Sequence, residues 1–432
     1  MDLLTANDQP GTYPQSYYAA TAKPLEPLPA AKGLITCDIC IVGGGYSGLS
    51  AALHLKQRGY DVVLLEAQRL GFGASGRNGG QVGTGQRVDQ DVLEDRLGQD
   101  AAHALWDLSL ESVRLVRELI TEHDIDCGWS DGVIHADHRA RDVKHSHAYA
   151  DKLAKEYGYS QITSLDRAEL RTLVASPAYY GGTLDIGSGH LHPLRYALGL
   201  ARAVVALGTR VFERSKVTRL SLETSELCTD NAEIRARHIV LACNGYLGDL
   251  MPQVAAKVMP INNFIAATEP LSDADARALI RDNHAVGDSK FVINYFRLSE
   301  DRRLLFGGGE SYGYRFPKDI AAKVRKPLSQ IFPQLSQTKI DYAWGGTLGI
   351  TMNRMPHFVR LSDTAVSISG YSGHGVAMAT LGGKLAAEAI AGQAERFDLL
   401  ADIPSTPFPG GPRLRSPLLA LAMLWFSLRD RL

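Results

Sequence analysis

Three stretches of apolar and polar patterning divide the chain. In the first, the apolar run of ITCDICIV meets a glycine cluster, helical spacing carries GLSAALHLKQ, and VVLL closes the unit. This order predicts a strand, a tight turn, a helix from about Ser47 to Arg58, and a second strand at 61–65. A βαβ unit of this kind has one preferred hand and a parallel sheet. In the second stretch, ALWDLSLESVRLVRELI places Leu105, Leu108, Val113, Val116 and Ile120 near one face, so residues 91–125 read as helix, as do 142–157. His192-Pro193 then opens the apolar helix LRYALGLARAVVALG, and TRVFERSKVTRLSL and ARHIVLACNG read as strands. In the third, residues 260–345 alternate in β fashion around one helix near 317–332, before a strand at 365–370 and the helix ATLGGKLAAEAIAG. Residues 1–34, broken by Pro10, Gly11, Pro14, Pro24, Pro27 and Pro29, read as an extended arm. No repeat of solenoid period is present.

Length turns this pattern into a domain expectation, because 432 residues exceed what one small core needs and imply two packed domains. Charge narrows the partners. With 46 basic and 47 acidic residues there is no basic excess to attract a polyphosphate, so nucleic acid is not expected. Five scattered cysteines suggest a reducing compartment with no disulfide framework, and a cytoplasmic location is expected. Cys37 and Cys40 have CxxC spacing, but inside a strand they point to opposite faces, which favours a structural role. The N-terminus lacks the pattern of a signal peptide, and no run is long enough for a membrane span. The apolar segment 417–428 suits an amphipathic helix docked on the body, a partner or a membrane surface.

The chemistry begins at Gly43-Gly44-Gly45-Tyr46-Ser47-Gly48, a GxGxxG turn between strand and helix. Gly43 permits the turn, Gly45 lets a pyrophosphate approach backbone N–H groups, and Gly48 lets helix and strand pack closely. The helix N-terminus faces the phosphate charge. Glu66, at the end of the next strand, is placed to accept from ribose hydroxyls and to repel a 2′-phosphate. A second glycine-rich loop, GFGASGRNGGQ at 71–81, follows too soon to begin an ordinary NAD-domain repeat. With small residues at Ala242–Gly245 and a third glycine loop, GYSGHG at 370–375, the separated contacts call for a long cofactor. FAD is expected.

These segments resemble the D-amino-acid oxidase/glycine oxidase/sarcosine oxidase family of flavoproteins, and within it the bacterial γ-glutamylputrescine oxidase branch. The resemblance spans about residues 14–432 and includes SYYAATA, CDICIVGGGYSGLSAALHL, GFGASGRNGGQ, GHLHPL, RLLFGGG, GYSGHGV and the ending FPGGPRLRSPLLA–SLRDRL. It implies an α/β fold: a Rossmann-type FAD-binding domain with a second, α+β substrate domain built from a mainly antiparallel sheet and helices. The expected division is an arm at 1–34, a cofactor domain from 35–85, 190–250 and 341–400, a substrate domain from 86–189 and 251–340, and a C-terminal segment at 401–432. FAD contacts are expected from Gly43, Gly45, Tyr46, Ser47, Glu66, Ala67, Ser75, Arg77, Asn78, Gly80 and Gln81. Strand residue Val217 is expected at the adenine, with Ser372, Gly373, His374, Gly375 and Val376 at the pyrimidine edge of the isoalloxazine. Some sarcosine oxidases bind FAD through a cysteine just before this last motif. Here the stretch reads YAWGGTLGITMNRMP, so noncovalent FAD is expected. Those enzymes also carry a lysine where this chain has Ala377.

The implied reaction is oxidation of the C–N bond of a small amine, γ-glutamylputrescine or a related polyamine-derived amine, to an imine or aldehyde. Dioxygen would take the electrons and give peroxide. His374, Tyr295 and Arg297 are the expected catalytic and substrate-contacting residues, with Arg297 pairing a substrate carboxylate. Trp344 is either a wall of the cofactor site or a core aromatic, and His190 and His192 suit turn and capping roles rather than metal binding. Two rival functions are an amine or D-amino-acid dehydrogenase that reduces a quinone or carrier, and a non-catalytic FAD-binding protein. Oligomeric state is left open.

Overall fold

The computed structural model describes residues 2–311 and 313–411. The expected helix at 417–428 lies outside them. Two sheets organise the chain. The first is centred on Gly33–Val42, which pairs in parallel with Ala232–Leu241 on one side and Val62–Leu65 on the other. Ala365–Ser369 extends it beyond Ala232–Leu241, and Arg210–Phe212 borders Val62–Leu65. The helix Tyr46–Gln57 leaves the glycine turn and packs against the helix Gly375–Ile390, so two glycine loops start neighbouring helices on one face. Their apolar contact surface is part of the largest core, with Leu49, Leu53, Leu381 and Leu385 fully buried.

The second sheet is mainly antiparallel, in the order 340–350, 259–268, 304–311, 295–298, 285–288, 130–136, 182–190 and 81–82. Its own core contains Phe264, Phe296, Phe306 and Phe332. The sheets cut across three expected boundaries. Gln81–Val82 and all but the first residue of Ile340–Ile350, assigned by sequence to the cofactor unit, hydrogen bond into this second sheet. Conversely, the helix Gln99–Glu122 buries Leu105, Val116 and Leu119 in the core of the first layer. A segment's sequence neighbours do not decide which apolar face it completes.

Local departures have identifiable causes. The predicted helix 91–125 is two helices, Gln90–Leu97 and Gln99–Glu122, because Gly98 between them has φ +87°. The arm is not wholly extended: Ser16 caps a short helix, Tyr17–Thr21, whose two tyrosines are buried. His192 caps the helix Pro193–Ala206 by accepting from the Arg195 N–H at 3.2 Å.

Candidate active site

A cavity of about 860 Å³ runs between the two sheets. At its floor the first glycine turn fits its neighbours with no room for side chains. Gly43 has φ +112°, and a Cβ there would sit 2.6 Å from the Ala242 carbonyl oxygen. A Cβ on Gly48 would fall 1.8 Å from the Gly43 carbonyl oxygen, so helix and turn need glycine at that contact. Three further segments are tied together at the other end. Ser372 N–H donates to the Gly349 carbonyl at 3.0 Å, and Gly370 N–H to Asn244 Oδ1 at 3.0 Å. Ser372 is held at φ +52°, a conformation rare for a side-chain-bearing residue and one that such ties must enforce.

Of the expected cofactor contacts, Gly43, Gly45, Tyr46, Ser47, Glu66 and Ala67 line the cavity, as do Ser75, Arg77, Asn78 and Gln81. So do Val217 and the whole run from Ser372 to Val376. Gly80 does not; it sits behind the wall, where a Cβ would lie 2.1 Å from the Leu191 carbonyl oxygen. Val217 is not in a strand. Arg214 at φ +52° turns the chain out of the sheet, and Val217 lies between the strands Arg210–Phe212 and Arg219–Ser221.

Glu66 is buried and accepts from the Gly44 N–H at 2.7 Å and the Gln68 N–H at 2.8 Å. Burial outweighs these donors and pushes its carboxyl up to about 7. His374 stands at the N-terminus of the helix Gly375–Ile390. Burial, with the Arg87 charge adding to it, holds its imidazole down at about 4, so the ring is neutral near pH 7. Its Nε2 is buried with no hydrogen-bond partner among the described residues.

Tyr295 faces the cavity as expected, its hydroxyl donating to Asn263 Oδ1 at 2.5 Å. Arg297 does not, and this corrects its expected role. Its Nε donates to the Gly79 carbonyl at 2.8 Å, Nη1 to the Leu298 carbonyl and Nη2 to Tyr18 Oη, so the buried guanidinium braces the second glycine loop from behind. The alternation of the strand was right about direction, but the cavity ends before that position. Trp344 is also behind the wall, donating to the Arg77 carbonyl at 3.1 Å and packing on Tyr18. Cys37 and Cys40 have thiols raised by burial, Cys37 to about 12.

Sequence reasoning missed the far half of the cavity. Thr84, Arg87, Tyr149, Asp288 and Lys290 line it, from segments with no motif. Asp288 accepts from the Asn294 backbone at 2.9 Å and side chain at 2.7 Å, and burial raises its carboxyl. Only the β alternation around 285–298 hinted that this region faces a site.

The family described as DAO, FAD dependent oxidoreductase, matches residues 38–389. That match spans most of the chain, including every glycine loop of the cavity.

The chain belongs to this family.

This DAO-family chain is 43% identical over 419 residues to γ-glutamylputrescine oxidoreductase of Escherichia coli K12, covering 96% of this chain and 98% of that one. It is 40% identical to a probable oxidoreductase, OrdL, of Rhizobium meliloti, over 96% and 97% of the two chains. Its fold is similar to glycine oxidase from Geobacillus kaustophilus, with TM-score 0.69, 20% identity and coverage of 83% and 95%. The DAO-family cavity is accordingly that of an FAD-dependent oxidoreductase, with a Rossmann-type unit and a second sheet around one site.

Proposed function

We propose that this flavoenzyme oxidises a C–N bond of γ-glutamylputrescine or a closely related polyamine-derived amine. The carrying observation is a single cavity whose walls join all three glycine loops to a second-sheet face that bears Tyr295. Similarity along nearly the full length of the E. coli γ-glutamylputrescine oxidoreductase supports the substrate class.

The residues present fit the cofactor. The turn Gly43–Gly45 gives a side-chain-free approach at a helix N-terminus, suited to a pyrophosphate. Glu66 and Ser372–Val376 line the same cavity, which supports the reading that Glu66 accepts from ribose hydroxyls and Ser372–Val376 meet the pyrimidine edge of the ring system. Bound FAD supplies a two-electron acceptor for a hydride from the carbon next to nitrogen. The helix Gly375–Ile390 begins at the cavity without a side-chain cap, so its first-turn amides and positive dipole end would stabilise negative charge on a ring system bound there. His374 is neutral near pH 7, so stabilisation of that negative charge falls to the helix end rather than to an imidazolium. Tyr295 walls the donor side and orients the amine. Binding of the neutral amine makes a strong base unnecessary.

FAD is held noncovalently in this reading, since residues 342–356 contain no cysteine; heat-denatured protein should release all its flavin to the supernatant. Dioxygen is the proposed acceptor, with peroxide as product, and the cytoplasm the proposed location. The test is an anaerobic titration with γ-glutamylputrescine, putrescine, glycine, sarcosine and D-alanine, followed by oxygen. γ-Glutamylputrescine should bleach the flavin absorbance at the lowest concentration, and oxygen should restore it with one peroxide per cycle. Bleaching by none of the amines sinks the proposal. Bleaching without peroxide on re-aeration would replace oxygen by a quinone or carrier.

A further inference from the structure

We propose that residues 2–11 form a latch over the adenosine end of the cavity, and that Asp8 positions Arg77 when the latch is closed. This inference rests on the FAD reading above. The stretch is irregular, yet it is fastened at four points to different parts of the molecule. Asp2 pairs with Lys216 at 2.6 Å. Gln68 grips the stretch twice, its Nε2 donating to the Leu4 carbonyl at 2.9 Å and its Oε1 accepting from the Gly11 N–H at 2.5 Å. Asn7 forms a reciprocal pair across to the other unit: its Nδ2 donates to the Tyr314 carbonyl at 2.8 Å, and its Oδ1 accepts from the Phe316 N–H at 2.7 Å. Asp8 receives both of its hydrogen bonds from Arg77 Nη1, at 2.9 and 3.1 Å.

The place these fastenings enclose gives the stretch its role. Leu4 lines the cavity together with Ala67, Lys216, Glu66 and Val217, the last two being the residues assigned to ribose and adenine. Arg77 is almost wholly buried, stacks on Phe72 with its guanidinium carbon 4.3 Å from the ring centre, and donates from Nε to the Phe72 carbonyl at 2.7 Å. Its Nη2 is buried and has no partner among the described residues. An arginine so enclosed, with one nitrogen already lacking a protein partner, depends on its remaining partners to hold it in the cavity wall. Asp8 fixes the plane of the guanidinium from the far side and offsets its charge while the wall is closed. Passage of the adenosine end past Leu4 then requires the Asp8–Arg77 and Asn7 contacts to part, so they set how fast the cofactor leaves.

The test compares holoenzymes: wild type, Asp8→Asn, Asn7→Ala and Asp8→Glu, each diluted while the rise of free-flavin fluorescence is followed. Asp8→Asn and Asn7→Ala should each release FAD about tenfold faster, a difference of about 1.4 kcal/mol. Asp8→Glu should stay near the wild-type rate, and any loss of melting temperature in Asp8→Asn and Asn7→Ala should be larger in the holoenzyme than in the apoprotein. Release at the wild-type rate from both variants overturns the latch. So does an equal loss of melting temperature in apo and holo forms with no rescue by Asp8→Glu, which marks Asp8 as general packing. Wild-type protein that carries and binds no FAD instead refutes the flavin reading itself.

Discussion

Tyr295 occupies a slot cut by two glycines. A Cβ on Gly79 would lie 2.6 Å from its ring, and one on Gly307 2.0 Å. The second glycine loop and the strand Leu304–Ser311 thus bring their bare backbones to the two sides of one aromatic ring, which adds close packing to its hydrogen bond to Asn263. Glu66 has the opposite character: its position is fixed but its charge is not. Burial raises its carboxyl to about 7, whereas ribose hydroxyls donate to the ionised form. FAD binding should therefore strengthen as pH rises towards 7, level off above it, and weaken by several-fold from pH 7 to pH 5.5. Fluorescence titration at a series of pH values measures this, and Glu66→Gln should flatten the profile. In the apoprotein the sign is reversed. A carboxyl raised above its unfolded value favours the fold at low pH, and that contribution is lost as pH rises through about 7.

Among elements, the helix Gly375–Ile390 carries the most structural responsibility. Its first turn faces the cavity, and its far end is pinned by charge. Lys384 donates to Glu111 Oε1 at 2.7 Å, and Arg396 bridges Glu111 and Glu388. Burial opposes ionisation of Glu111, but Lys384 and Arg396 overcome it and hold the carboxyl below its usual range. Replacing Glu111 with Gln should cost about 2 kcal/mol at pH 7. The difference should shrink as pH falls through the depressed carboxylate range, because that stability depends on the ionised form. Denaturant melts at pH 7 and pH 4 check it, and the flavin spectrum should stay unchanged. This helix also shows what sequence conveys well. GYSGHG ahead of a small-residue apolar run announces a helix N-terminus at a ligand, as GGGYSG does, because the packing demand appears in the residue types themselves. Arg297 shows what it conveys poorly. Alternation says which face of a strand a side chain takes, but not how far along that strand a cavity reaches. The break at Gly98 was likewise hidden, because both halves of 91–125 keep helical periodicity and a lone glycine is tolerated within a helix.

At the scale of the whole molecule, one cavity is shared by two sheets whose strands alternate along the chain. The Rossmann-type unit was legible because its glycine spacing is short-range. The far wall was not, since Thr84, Asp288 and Lys290 meet only through long-range packing and carry no common pattern. A ligand that touches both sheets should stabilise the fold as one body. Adding FAD at about a hundredfold over its dissociation constant should contribute about 2.7 kcal/mol and raise the melting temperature by a few degrees. Differential scanning fluorimetry of apoprotein with and without FAD measures it, and a single cooperative transition is expected in both.

The central strand Gly33–Val42 has one parallel partner close by in Val62–Leu65, but its other edge is covered only by Ala232–Leu241, and the pocket wall is complete only when Ala379 is in place. During translation the early glycine turn must therefore wait, its βαβ unit half-sheeted, until most of the polypeptide has left the ribosome. The cavity that would receive the flavin is thus assembled late in biosynthesis, after most of its walls have been made.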